Sequence, residues 1–250
     1  MQFAIRDLRY AICNLQFAIC NMQFAIRDPR CIMKIFDLSV PLRNDMPFYP
    51  GDPVPQITRI EDHARGDAWT TTHVSFCAHI GTHVDAPLHR VRDGNTVDNL
   101  DLQTLVGRAY VVDLTDVETE IHAEDLQARN IPLSAERLIL KTRNAALWQS
   151  STFAENFVAL SESGAEWLVA HGIRLVAMDY LSADVFTSHD FRAHDVLLHA
   201  GIVIVEGVMT AQILEGWYTW ICLPIRLQGA DGAPARAILI QEDTVKEEQA

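Results

Sequence analysis

Short apolar runs of strand length, separated by polar turns, constrain the fold of this chain more than any other feature. They are rich in β-branched residues, and the helical patterns between them are few. This arrangement predicts an α/β or α+β fold in a single domain, with a mixed sheet that is either open or closed into a barrel. The main runs span residues 108–114, 137–142, 173–180, 202–209, 218–227 and 236–242.

Two segments have helical character. SESGAEWLVAHG can begin at a capping Ser161 and end at Gly172. HDVLLHAG is a shorter helix that Gly201 stops before the next strand. Linker-like composition does not occur after Met33, so we predict one domain over residues 33–250.

The first 32 residues differ from the rest of the chain. Residues 2–29 read QFAIRDL, RYAICNL, QFAICNM and QFAIRDP, which are four copies of one heptad. Their aliphatic residues recur at spacings of three and four, as in a coiled-coil seam. Alternatively, the repeat is translated repetitive DNA ahead of a start at Met33, which opens MKIFDLSVPL. We favour the second interpretation and expect residues 1–32 to be a dispensable extension.

The bulk composition narrows the classes of partner. A net charge of −13 disfavours nucleic acid and anionic membranes, which both attract clustered Lys and Arg. The chain lacks a run of about 18 apolar residues, so we expect no membrane span. Five cysteines, an odd number, do not suggest a disulfide framework. We therefore expect a cytoplasmic protein that acts on a small molecule.

The stretch HIGTHVDAPLH packs three histidines and an aspartate into eleven residues. His83 and Asp85 project from the same face of a strand, but His79 and His83 would lie about 13 Å apart along a flat one. Gly81 can supply the necessary bend, and Pro87 excludes a long helix. We predict a kinked strand or loop that places His79, His83 and Asp85 on one divalent metal such as zinc or manganese.

Further site residues are expected elsewhere in the chain. His89, near the predicted ligands, suits a general acid and base, because imidazole is the side chain that ordinarily gains and loses a proton near neutral pH. Glu206 ends an apolar run, where a carboxylate is costly unless it is paired or bound to metal. The helix–turn–strand reversal can bring His194 close to Glu206, although His199 or His189 could take that place.

These residues resemble the cyclase family of metal-dependent hydrolases, which includes bacterial kynurenine formamidase and isatin hydrolase. HIGTHVDAPLH fits the pattern His-x-Gly-Thr-His-x-Asp-x-Pro-x-His, and the resemblance extends over about residues 34–240. DLSVPLRNDMPFYPGDP, HDVLLHAGIVIVEG and LPIRLQGADGAPARAIL are similar to family segments in the same order. The resemblance implies a swivelling β/β/α barrel-like fold, usually in a homo-oligomer such as a dimer or tetramer.

The resemblance also implies roles for individual residues. Asp85 would be able to bridge to a second ion, and His89 would be the acid and base. Tyr49 stands where family formamidases tend to have Trp, so it would line the substrate pocket. AMDYLSAD departs from the usual Asp-x-Pro-Ser form but keeps Asp179, Ser182 and Asp184 as supporting positions. The implied metal ligands are His79, His83, Asp85, His194 and Glu206, for one or two ions of zinc or manganese.

The predicted chemistry is hydrolysis of a C–N amide bond by metal-activated water. The substrate would be an aryl formamide such as N-formylkynurenine, or a cyclic amide. A dehydratase or cyclase could use the same site, and a metal-binding scaffold without turnover is a third interpretation. His89 favours an enzyme, because metal storage requires ligands but no additional base.

Overall fold

The computed structural model describes residues 33–242. The repeat in residues 1–32, and the prediction that it is an extension, lie outside this range. The strands are β1 (Met33–Asp37), β2 (Gln56–Glu61), β3 (Thr71–Ser75), β4 (His83–Asp85), β5 (Val106–Asp113), β6 (Glu120–Ile121), β7 (Arg137–Lys141), β8 (Ala159–Leu160), β9 (Leu175–Met178), β10 (Val203–Glu206), β11 (Gly216–Pro224) and β12 (Gly232–Glu242). The α-helices are α1 (Leu102–Leu105), α2 (Ala123–Gln127), α3 (Glu162–Ala170) and α4 (Arg192–His199), and 3₁₀ turns span His63–Arg65, Pro87–His89, Val97–Asn99 and Arg143–Gln149.

The main sheet is mixed and closes on itself. Its order is β1-β12-β11-β5-β7-β9-β10-β4, and β12 also pairs with β4. Strands β5, β7, β9 and β10 are parallel to their neighbours in that series, whereas β4, β11 and β12 pair antiparallel. The predicted α/β fold with a barrel-like mixed sheet is confirmed.

The closed sheet separates two apolar layers, since successive residues of a strand point to opposite faces. Every strand from β12 round to β4 contributes to one cluster, which therefore fills the interior; Val84, Val111 and Trp220 belong to it. The alternate residues, including Val112 and Ile204, pack on the outside against the helices. A side chain on the outer face of β4 or β10 therefore points toward the helical layer.

The two predicted helices form with the expected ends. The Ser161 hydroxyl accepts a hydrogen bond from the Gly164 amide at 3.1 Å, and α3 ends just before Gly172, whose φ is +69°. Helix α4 begins at Arg192, two residues earlier than predicted, and ends before Gly201. Its earlier start places His194 in the first turn.

The sequence was less informative about strand limits. The segment predicted as a kinked strand or loop is strand only over the three residues of β4, and an irregular loop separates β4 from β3. The final strand was predicted from residue 236 and starts at Gly232, because it extends to pair with β4. Residues Ile35–Gln241 form one compact unit. Within the described residues, no helix has the length and apolar character needed to cross a membrane.

Candidate metal centre and its cavity

The bend predicted at Gly81 is present. Gly81 has φ +56°, and a Cβ there would lie 2.7 Å from Cδ2 of Leu42. The bend brings the ring centroids of His79 and His83 to 5.2 Å, far less than a flat strand would allow. Glycine is therefore required both by the backbone conformation and by the space available.

The bent loop is fixed against the end of β10. The Thr82 hydroxyl donates to the Gly207 carbonyl at 2.6 Å and accepts from the Val40 amide at 2.9 Å. Gly207 has φ +73°, and a Cβ there would lie 2.1 Å from the Gly81 carbonyl oxygen. This close approach holds the loop that carries His79 beside Glu206.

Strand register brings the local cluster and the distant carboxylate together. In the antiparallel pair of β4 and β10, His83 lies opposite Glu206. His83 Nε2 is 3.4 Å from Glu206 Oε2 and 3.4 Å from Asp85 Oδ1. All three side chains are almost fully buried, and the Glu206 carboxylate also accepts from the Ala183 amide at 2.6 Å. Their common face is the outer one, because Val84 points inward.

The first turn of α4 supplies His194. The Asp184 carboxylate accepts hydrogen bonds from the backbone amides of Ala193 and His194, at 2.8 and 3.1 Å, so it caps the helix. The same carboxylate contacts His194 Nδ1 at 2.5 Å. His194 Nε2 then lies 3.3 Å from Glu206 Oε1 and 3.7 Å from Asp85 Oδ2. Helix capping and orientation of the imidazole thus depend on one side chain.

In His83 and His194, a hydrogen bond at Nδ1 leaves Nε2 as the nitrogen that faces the cluster. His83 Nδ1 donates to the Gly81 carbonyl at 3.0 Å, which leaves Nε2 as the inward atom. His194 Nδ1 faces Asp184 in the same way. His83 Nε2 is buried and has no hydrogen-bond partner within residues 33–242. An inward nitrogen that lacks a partner, beside two carboxylates and backed by a fixed outer nitrogen, is the arrangement of a metal-binding histidine.

The pKa shifts within the cluster also indicate a binding site for a cation. Burial lowers the pKa of His83, but Asp85 and Glu206 outweigh it and raise the pKa to about 10. Burial raises the pKa of Glu206, yet His194 and His83 bring it down to about 2. The two carboxylates are therefore ionised and hold protons on the adjacent imidazoles. A divalent cation can replace those protons, because metal binding and protonation compete for the same nitrogens.

The rings of His79 and His89 are in contact at the edge of the cluster, tilted by 40° to one another. Their ring centroids are 4.2 Å apart, and His79 Nδ1 lies 2.7 Å from Asp85 Oδ1. His89 is in the 3₁₀ turn Pro87–His89, and its side chain is 31% exposed. One nitrogen of His89 lies within 4.8 Å of ligand atoms of Asp85 and His194. His89 can therefore act on a group bound at the cluster, and its role as acid and base stays a prediction.

The cluster lies in a cavity of about 280 Å³. Tyr49 lines it, and its ring packs edge-on against Phe153 and Phe186 at centroid distances of 5.4 and 5.9 Å; its contact with substrate stays a prediction. The alternatives to His194 are outside the cluster, since His189 and His199 are both exposed. Ser182, expected only as a supporting position, also lines the cavity, and the lining residues that sequence reasoning did not identify are Asp52, Arg90, Leu181 and Phe191.

Asp231 is a further residue at the site that was not predicted from the sequence. Its Oδ2 lies 2.9 Å from His79 Nε2 and 3.1 Å from His89 Nδ1. It immediately precedes β12, in the segment LPIRLQGADGAPARAIL, which was recognised as a whole but gave no individual residue. The only signal in the sequence was an acidic residue beside Gly232, where the chain enters its last strand.

Gly232 gives a test of the packing around His79. A Cβ at Gly232 would lie 2.7 Å from His79 Cε1 and 2.8 Å from the Val84 carbonyl oxygen. Because the carbonyl cannot move easily, we expect Gly232→Ala to displace the imidazole and to weaken metal binding about 10- to 100-fold. Competition with a chelating dye measures this affinity. Gly201→Ala is the control: it has positive φ but open space, and should lower stability without changing metal affinity. Unchanged metal affinity in Gly232→Ala would contradict the proposed contact.

The chain is similar in sequence to proteins of one family. The profile of the Cyclase family ("Putative cyclase") matches residues 36–185. Cyclase-like protein 1 of Oryza sativa subsp. japonica is 36% identical over 219 residues, which cover 83% of this chain and 79% of that protein. Kynurenine formamidase of Bacillus mycoides (strain KBAB4) is 32% identical over 203 residues, or 81% of this chain and 95% of the relative.

The fold of the chain is also similar to that of solved structures. A potential metal-dependent hydrolase with cyclase activity superposes with a TM-score of 0.73 at 31% identity, over 84% of this chain and 98% of the other. Isatin hydrolase A from Labrenzia aggregata superposes with a TM-score of 0.71 at 22% identity, over 83% and 93% of the two chains. At that identity, the second comparison establishes the shared fold alone.

Proposed function

Because the chain belongs to the Cyclase family, we propose that it is a metal-dependent hydrolase that cleaves a C–N amide bond. The proposed substrate is an aryl formamide such as N-formylkynurenine, or a cyclic amide. The relatives named as a kynurenine formamidase and as a metal-dependent hydrolase support this class of reaction. We further propose zinc or manganese as the metal.

One observation carries the proposal: His83 Nε2 is buried without a hydrogen-bond partner in the described part of the chain, between Asp85 and Glu206. A buried polar atom in this state costs free energy unless something satisfies it. Nitrogen and carboxylate donors together suit Zn²⁺ or Mn²⁺. The donor set therefore fits the proposed group, with His79 and His194 completing it.

The histidines of the cluster lie on two sides of the Asp85 carboxylate. Its Oδ1 faces His79 and His83, and its Oδ2 faces His194. Asp85 can consequently contribute to two neighbouring positions, which would accommodate either one ion or two. When bound, the metal would polarise a carbonyl and supply activated water at neutral pH.

His89 would move protons during this reaction. A base must take a proton from the attacking water, and an acid must return one to the leaving nitrogen as the C–N bond breaks. His89 lies beside Asp85 and His194 and is partly exposed to the cavity, so it can reach both groups. A buried ligand would have no free nitrogen for either transfer.

The cavity supports a small and largely planar substrate. Its volume of about 280 Å³ is at the lower end of ordinary ligand sites, which span roughly 300–1,000 Å³. Tyr49, Leu181 and Phe191 provide apolar contacts, whereas Asp52 and Arg90 add charge of both signs. A single-ring formamide or a cyclic amide fits this combination.

Metal removal and replacement test the proposal. We expect chelation to lower the melting temperature and abolish amide hydrolysis, and zinc or manganese to restore both. At a free metal concentration 1,000 times Kd, the metal should stabilise the fold by about 4 kcal/mol. The measurements are metal content per chain, thermal unfolding, and turnover of N-formylkynurenine, simple aryl formamides and isatin.

The outcomes separate the alternatives. Binding and stabilisation without turnover of any of these amides would support the metal-binding scaffold and contradict the hydrolase. Turnover that persists in chelated protein with no residual metal would contradict the metal dependence. A matched aryl ester without a C–N bond is the substrate control for non-specific hydrolysis.

A further inference from the structure

We propose that Asp231 is the positioning residue for His89 and that, through one carboxylate oxygen, it also orients His79. The inference rests on the proposed function, in which His89 moves protons and His79 binds metal. Asp231 Oδ2 is 2.9 Å from His79 Nε2 and 3.1 Å from His89 Nδ1. Both distances are those of hydrogen bonds, and an ionised carboxylate can only accept.

These contacts fix the proton positions on both rings. His89 must carry a proton on Nδ1 to donate to Asp231, so the neutral ring has its lone pair on Nε2. His79 must carry a proton on Nε2 to donate to Asp231, and its Nδ1, 2.7 Å from Asp85 Oδ1, carries a proton that a bound metal would replace. One acceptor thus selects the nitrogen that each ring offers to the reaction or to the metal.

The backbone around Asp231 is fixed well enough to impose this selection. The Asp231 carbonyl accepts from the Ala86 amide at 2.9 Å, and the next residue, Gly232, pairs with Asp85 across β4 and β12. Asp231 is therefore attached to the same strand end that carries the metal ligands. The pairing that closes the barrel is what places a residue 142 positions from His89 at its ring.

Asp231 could instead be a metal ligand, because ligand atoms of His79, His89 and Asp231 lie within 4.8 Å of one another. The exposure of its side chain, 43%, and its position outside the buried carboxylates favour the positioning role. Every imidazole of the cluster would then have its outer nitrogen held by a carbonyl or carboxylate, as is usual around metal-binding histidines.

The test measures the tautomer of His89 directly. In zinc-loaded protein at mildly alkaline pH, long-range ¹H–¹⁵N spectra distinguish a ring protonated at Nδ1 from one protonated at Nε2. The His89 signals are assigned by comparison with His89→Gln. We expect Nδ1–H in the wild-type protein and either Nε2–H or a mixture in Asp231→Ala. Asp231→Asn keeps a carbonyl acceptor and should retain more of the Nδ1–H form.

Kinetics give a second readout. At saturating metal, Asp231→Ala should lower kcat about 10- to 100-fold and leave KM within a few-fold, because outer partners of site residues are typically worth that much. Asp231→Asn should fall between Ala and wild type. The loop control is Asp98→Ala, which removes a contact to the Gly229 amide at 2.9 Å without touching either histidine. It should leave the tautomer and kcat unchanged.

Three results would overturn the inference: an Nε2–H tautomer in the wild-type protein, an unchanged His89 spectrum in Asp231→Ala, or loss of a stoichiometric ion from Asp231→Ala at saturating zinc. The last would make Asp231 a ligand. Failure of the proposed function is distinct from all three, because it would appear as a wild-type protein that binds zinc and shows the Nδ1–H signal but hydrolyses no amide.

Discussion

Replacing Asp85 with asparagine is expected to reduce metal content to a small fraction of the wild-type value and to abolish turnover. Asp85 is 1% exposed, and its two oxygens face different histidines. Asparagine has nearly the same shape but one acceptor oxygen in place of two, and it carries no charge. It therefore removes the charge of the one carboxylate in the ligand set that contacts His79, His83 and His194 together.

The comparison with Glu206→Gln sharpens this prediction. Glu206 contacts two histidines, His83 and His194, whereas Asp85 contacts three, and the Ala183 amide already donates to one of the Glu206 oxygens. We expect Glu206→Gln to retain more metal than Asp85→Asn. Equal metal content in the two variants, measured by elemental analysis, would contradict the ranking.

Asp179→Asn controls for the loss of any buried aspartate. Asp179 is fully buried and accepts hydrogen bonds from Thr142 and Thr210, away from the metal cluster. Burial raises its pKa to about 6. This variant should lose stability but keep its metal per folded chain. If Asp179→Asn lost metal as completely as Asp85→Asn, general misfolding would explain both.

The part of the site that could be predicted from sequence is the part whose geometry is local. His83 and Asp85 follow from the two-residue period of a strand, and the bend before them follows from Gly81. Each of these constraints operates within a few residues. The cost of an unpaired carboxylate at the end of an apolar run indicates Glu206, which lies on the face opposite Val205 that is shared with the cluster.

The remaining parts depend on strand pairings that the sequence does not contain. The position of Glu206 opposite His83 requires the register of β4 against β10. Asp231 reaches His89 only because β12 extends four residues beyond the predicted strand and pairs with β4. Asp184 was expected to be a supporting residue, but its double role as helix cap and partner of His194 requires the observed start of α4. Closure of the sheet, which no short segment encodes, creates the contacts of Glu206 and Asp231.

Replacing His89 with alanine is expected to leave the bound metal in place and to lower turnover about 10²- to 10⁴-fold, the usual contribution of general acid–base catalysis. The predicted ligands His79, His83 and Asp85 are untouched in this variant. His89 contacts Asp231 at 3.1 Å and its ring packs against that of His79, so a modest change in the affinity for metal is also expected. Turnover and metal stoichiometry must therefore be measured on one preparation at saturating metal.

His89→Ala distinguishes three roles for this side chain. If His89 is a ligand, as its proximity to Asp85 and His194 would permit, metal content and activity should fall together. If it is a surface histidine without function, neither should change. Loss of turnover with full metal content supports the acid and base role, and a decrease in kcat/KM of only a few-fold on a confirmed amide would exclude it. Comparison with Asp231→Ala then distinguishes the two roles. Removing the residue that transfers the proton must lower kcat more than removing the residue that orients it.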